Sequence, residues 1–133
     1  MGYAVAVQKD RSSHGGGVLI MCKSHLLVDV IDCTDYYVRG ACEIVAVNFQ
    51  GTAILCVYRQ PGDTDLTIIE SLNHFITTHN LSMILLGDFN VHHQEWLASP
   101  RTSTAGRSLR EFCELNGLAQ LVNTPTVVPQ FWI

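Results

Sequence analysis

Three residue types that can do chemistry stand close together in Leu86-Gly87-Asp88-Phe89-Asn90-Val91-His92. The Asp88 carboxylate can take a proton from water or fill one position around a divalent cation. The Asn90 amide can donate to a phosphate oxygen or orient that carboxylate. In an extended segment the i, i+2 spacing turns Asp88 and Asn90 to one side, and His92 shares their parity. The plainer alternative is a turn in which Asp and Asn bond nearby backbone. One Asp is too few ligands for Mg²⁺, so partners must come from elsewhere. Tyr58-Arg59-Gln60-Pro61 is the second candidate. A phenol and a guanidinium at a strand end can both donate to a phosphate; otherwise Tyr58 closes a hairpin core and Arg59 is solvated. His92 and His93, adjacent in sequence, point apart and make poor co-ligands, and zinc needs more ligands at defined spacing. No G-x-S-x-G elbow is present, and Gly17 to Ser24 misses the phosphate loop because Cys22 stands where the second Gly belongs.

These residues need stiff supports. The stretch 82–86 reads as a strand buried on both faces, which delivers Asp88 at its carboxyl end, where open α/β sheets bind ligands. Residues 42–49 and 52–58 alternate and are joined by Gln50-Gly51, a hairpin that delivers Tyr58. Residues 3–8 and 18–22 form another hairpin across a Gly-rich loop, and 26–31 is a further apolar segment, with 32–40 as loop. From Asp65 to His79 the period becomes helical, with Asp63 or Thr64 as cap. Residues 91–105 form a long polar loop. Gly106 to Asn116 is a second helix stopped by Asn116-Gly117, and 118–122 is a candidate last strand. Strands first, then helix, strand and helix, predict an α/β or α+β sandwich.

The 133 residues suffice for one domain, and 47% hydrophobic with 15% charged is a globular composition. The net charge is −4, with eight Lys and Arg against twelve Asp and Glu. Charge alone therefore does not suggest nucleic acid, although a metal held in an acidic site would offset part of it. No apolar run spans a membrane, and no basic segment precedes the first one as in a signal peptide. Five cysteines without a CxxC pair, three of them in apolar runs, favour a reducing compartment. The expected location is intracellular, nucleus or cytoplasm, not secreted.

Taken in order, several pieces resemble the endonuclease/exonuclease/phosphatase superfamily, and within it the endonuclease domain of non-LTR (LINE-type) retrotransposons. They are Asp10-Arg11, Gly15-Gly16-Gly17-Val18-Leu19-Ile20, Glu43-Ile44, Val57-Tyr58-Arg59-Gln60-Pro61, Leu85 to His92, Gly106 with Leu109, Phe112 and Asn116-Gly117-Leu118, and Asn123-Thr124-Pro125-Thr126. The resemblance implies a four-layered α/β sandwich and divalent-metal-dependent cleavage of phosphodiesters, with Mg²⁺ or Mn²⁺ as cofactor. It implies DNA as the substrate and a reverse transcriptase in the same full-length protein. By position, Asp88 orients or deprotonates the attacking water and is a possible metal ligand. Asn90 bonds the scissile phosphate and helps place Asp88. Tyr58 donates to the phosphate, with Arg59 and His92 as further phosphate contacts.

The family's early Asn and metal-binding Glu, and its late Ser-Asp-His, have no counterpart here. Glu43 follows the Gly-Gly-Gly-Val strand instead of preceding it and so does not fit the metal position. Residues 1–133 are therefore expected to be the central part of one such domain, incomplete at both ends and inactive alone. Two other readings remain at this point: a non-catalytic relic or interaction module, and a superfamily phosphatase acting on a lipid or inositol phosphate.

Overall fold

Alternating apolar residues build most of the sheet in the computed structural model, which describes residues 2–12, 16–63, 66–96 and 99–123. Gly15, the cap candidate Thr64, Asp65, the Thr124-Pro125-Thr126 piece and the apolar end 130–133 lie outside the described residues. The elements are β1 (Tyr3–Asp10), β2 (Gly17–Lys23), β3 (Asp29–Ile31), a 3₁₀ turn (Thr34–Tyr36), β4 (Cys42–Phe49), β5 (Thr52–Arg59), α1 (Thr67–His79), β6 (Ser82–Asp88) and α2 (Thr104–Leu115). The chain divides into two compact units, Met1–Asn90 and Val91–Ile133.

The first unit holds two sheets. β1 and β2 pair antiparallel with a register shift between Val5 and Val7. The second sheet runs β3-β4-β5-β6, antiparallel except for the parallel β5–β6 pair. Register and the period of two divide its side chains between two faces. Cys42, Ile44 and Ala46 share one face with Leu55 and Val57, all buried. There the Cys42 Sγ lies 3.9 Å from Ser71 Oγ of α1. The other face carries Glu43, Val45 and Val47 with Cys56 and Tyr58, and the β1–β2 hairpin packs against β4 and β5. The stretch read as loop, 32–40, contains the 3₁₀ turn, because Tyr36 buries its ring against Phe75 and bonds His79 Nε2 at 3.1 Å.

Three expectations are corrected. The first concerns β6, which is an edge strand, not one buried on both faces: Ile84 and Leu86 are 48% and 53% exposed. Its apolar run lacks a second neighbour among the described residues. In the second, α1 begins at Thr67 after Leu66, which takes a left-handed conformation with no side-chain cap. Asp63 instead pairs with Arg59 and accepts from the Thr67 hydroxyl at 3.4 Å. The third is 118–122, which forms no strand, since the Leu118 N–H turns back to bond the Cys113 carbonyl at 2.8 Å.

In the second unit, α2 starts two residues earlier than its periodicity suggested. Ser103 caps it by accepting from the Gly106 N–H at 3.0 Å. Leu109 and Phe112 are buried. All five cysteines are free. No helix among the described residues is long and apolar enough to cross a membrane.

Candidate functional site

Pairing in the central sheet sets three chemically capable residues in one row. Glu43 of β4 is the register partner of Tyr58 of β5, and Tyr58 is the register partner of Asp88 of β6. Strand spacing of about 4.8 Å separates neighbours in such a row. All three side chains leave the same face of the sheet. Tyr58 and Asp88 sit at the carboxyl ends of adjacent parallel strands. Parallel pairing depends on Gly87, where the two backbones nearly touch: a Cβ there would lie 1.8 Å from the Val57 carbonyl oxygen.

Asp88 is exposed, and its Oδ1 accepts the backbone N–H of Asn90 at 3.0 Å. Such an Asp-led turn fixes the carboxylate locally. Asn90 has a φ of 47°, so the chain is not extended after Asp88. That overturns the i, i+2 argument: parity cannot place Asn90 or His92 beside Asp88. The Asn90 Nδ2 donates to the Arg59 carbonyl at 2.7 Å, tying the end of β5 to the turn that follows β6. Asn90 thus helps place Asp88 through its backbone N–H.

Arg59, next to Tyr58 in the strand, faces the other way. It is 5% exposed. Its Nη1 donates to the Asn90 carbonyl at 3.1 Å, its Nη2 to the Asp63 carbonyl, and its Nε faces Asp63 Oδ2 at 3.5 Å. The guanidinium is a clamp that gathers two loops, not an open phosphate ligand. His92 is exposed in the second unit, where its backbone N–H and carbonyl both meet Ser103. His93 is buried, accepts from the Glu95 N–H at its Nδ1 and packs on Trp96.

Sequence reasoning assigned no role to two residues at this end of the sheet. Arg11, just beyond β1, bonds the Glu43 carboxylate side-on, Nε to Oε1 at 2.5 Å and Nη2 to Oε2 at 3.4 Å. Its guanidinium carbon lies 4.5 Å from the centre of the Tyr58 ring. Hydrogen bonding to Glu43 raises the Arg11 pKa above its ordinary value, and Tyr58 acts in the same direction. The available signal was Glu43 itself, the single charged residue inside the apolar run 42–49.

A Mg²⁺ or Mn²⁺ ion would need several oxygen ligands. Among the described residues no three His, Cys, Asp or Glu side chains converge to hold a metal. Glu43 directs its carboxylate to Arg11, and Asp88 already commits one oxygen to Asn90. The described residues do not fit a complete divalent-cation site.

Residues 52–132 match the endonuclease-reverse transcriptase family. No curated protein matches the chain. Among solved structures it is similar to the endonuclease domain of TRAS1, a telomere-specific non-LTR retrotransposon, with a TM-score of 0.62 at 19% sequence identity. That match covers 98% of this chain and 59% of the other, so the chain spans about three-fifths of its structural relative. The mixed α/β architecture, two sheets with helices, is the fold of that domain.

Proposed function

The chain belongs to the endonuclease-reverse transcriptase family, and on that premise we propose that it is the central part of a single endonuclease domain of retrotransposon type. The whole domain hydrolyses phosphodiesters of DNA, nicking it inside the cell, in the nucleus or cytoplasm, as part of a protein that also carries a reverse transcriptase. One observation carries this reading: Tyr58 and Asp88 are partners on adjacent parallel strands, on one face, at their carboxyl ends. A scissile phosphate at those ends meets a phenol donor and a carboxylate base together. Asp88 orients a water and takes its proton as the water oxygen bonds phosphorus; the ester P–O bond opposite breaks, and the leaving sugar oxygen takes a proton from solvent. Tyr58 donates to a non-bridging oxygen, where charge grows in the transition state.

Asn90 and Arg59 support this pair by holding the turn after β6 against the end of β5. Direct phosphate contact by Asn90 or His92 is a smaller part of the proposal, and Arg59, whose guanidinium is buried on the Asn90 and Asp63 carbonyls, contributes only by holding that turn. Dependence on Mg²⁺ or Mn²⁺ is proposed for the whole protein, with Asp88 supplying at most one ligand. The chain by itself is therefore inactive in this reading.

A supercoiled-plasmid assay tests it on this chain alone and on the chain with its flanking reading frame restored. The restored protein is expected to nick, and Asp88→Ala to lower its rate at least about a hundredfold, the scale of losing a positioned general base. Equal nicking by wild type and Asp88→Ala would sink the assignment of Asp88. Hydrolysis of inositol phosphates in preference to DNA would move the substrate to the phosphatase branch.

A further inference from the structure

We propose that Arg11 is a positioning residue for Tyr58, and that Glu43 serves the site only by locking Arg11 in place. This rests on Tyr58 being the phosphate donor proposed above. Glu43 is 1% exposed. A buried carboxylate is costly unless it is paired and hydrogen-bonded, and here the pairing group is the Arg11 fork. Two donors on two oxygens fix the guanidinium plane as a single ammonium could not.

The same guanidinium is held on other sides. Tyr58 offers it a ring face at 4.5 Å, a cation–π contact. Gly16 closes in as well: with φ at +82° it has no Cβ, and one built there would stand 3.0 Å from the Arg11 Cζ and Nη1. The Arg11 backbone N–H also donates to the Gly16 carbonyl at 3.2 Å, which fixes the main chain that carries the guanidinium. Arg11 is thus fixed by Glu43, Gly16 and the Tyr58 ring, yet its side chain is still 35% exposed at the site's end of the sheet. A mere staple between hairpin and sheet does not need charge. An apolar pair of similar volume holds two elements together as well or better. What the ion pair adds is a fixed planar cation on the ring of one particular tyrosine, the central member of the row Glu43, Tyr58, Asp88. Donors to a transition state lose effect when misplaced by even an ångström, so fixing that ring has a direct catalytic use.

The test reads the Tyr58 ring in the 133-residue chain by carbon-13 relaxation of labelled tyrosines, with Tyr58→Phe identifying its signal. Arg11→Met is expected to raise the mobility of the Tyr58 ring while the Tyr36 ring stays rigid. Glu43→Gln is expected to do the same when Arg11 is present and nothing further when Arg11 is already Met. An unchanged Tyr58 ring in Arg11→Met, or an equal effect of Glu43→Gln in both backgrounds, overturns the proposal. If the single variants do not fold, the paired Arg11→Met/Glu43→Leu decides: a mobile Tyr58 ring supports positioning, a rigid one refutes it. In the nicking assay on the restored protein, Arg11→Met is expected to lower kcat about tenfold with KM little changed. If Asp88→Ala nicks like wild type, the functional reading fails, and the ring signals still decide the role of Arg11.

Discussion

β5 and β6 look alike in sequence and differ in the sheet. Each is an apolar run that ends on a residue of the candidate site, and the two pair in parallel from Thr52 and Ser82 to Tyr58 and Asp88. β5 lies between β4 and β6, and every second residue, Ala53, Leu55, Val57 and Arg59, is buried. β6 lies at the edge, where only Met83 and Leu85 are half-buried and the other five residues are exposed. Apolar runs report membership of a sheet, and it takes the pairing partners to set burial. The difference suits the chemistry. A central strand holds Tyr58 on a rigid support, and an edge strand leaves Asp88 open to solvent.

The largest effect expected from breaking this pairing is at Gly87, where the two strands approach most closely. Its φ is +137°, and a Cβ would overlap the Val57 carbonyl oxygen and crowd its carbon and nitrogen at under 3 Å. Those are backbone atoms and cannot swing aside. Gly87→Ala should therefore cost roughly 3 kcal/mol or more and separate the end of β6 from β5. Chemical denaturation gives the stability loss, and hydrogen exchange shows whether amides of β6 lose protection before those of the β4–β5 hairpin. Wild-type stability in Gly87→Ala would mean that the strands are not as close as described.

A smaller pair of effects measures the centre against the edge. Leu55 on β5 is 0% exposed, so Leu55→Ala should cost about 2–5 kcal/mol as a cavity in a closed core. Leu86 on β6 is more than half exposed, and Leu86→Ala should stay within about 0.5–1 kcal/mol. Denaturation midpoints compared at a common slope give both values. Equal losses would mean that Leu86 is covered in solution.

The extent to which all this was legible follows the range of each interaction. The β4–β5 hairpin is nearly complete in the sequence, because alternation and Gln50-Gly51 are local signals. The start of α1 is not, because Leu66 caps it by backbone conformation alone. Asp88 and Tyr58 stand out as polar residues closing apolar runs. That they share a face depends on the β5–β6 register, which no local pattern carries. The opposite placement of Arg59 was available from the period of two, since strand neighbours cannot face the same way. The misplacement of Asn90 was not, because it rests on a left-handed residue outside the strand. The part of Arg11 depends on a contact across 32 residues. Only the isolated charge of Glu43 hinted at it.

The finest comparison lies at one level of the sheet. Cys56 on β5 and Leu86 on β6 are register partners and emerge on the same face. Over Cys56 sits the β1–β2 hairpin, and burial pushes its thiol pKa up. Leu86, one strand further out, is exposed. In Leu86→Cys the introduced thiol should react with iodoacetamide near the rate of a free cysteine, while Cys56 reacts at least about tenfold more slowly near neutral pH. A raised pKa leaves less thiolate at a given pH, so the Cys56 rate should climb further as pH rises past 9, after an open thiol has levelled off. Peptide mass spectrometry separates these positions from the other four cysteines. Equal rates at both would show that the hairpin leaves β5 as open as the edge, and the contrast between the two strands would then reduce to their pairing alone.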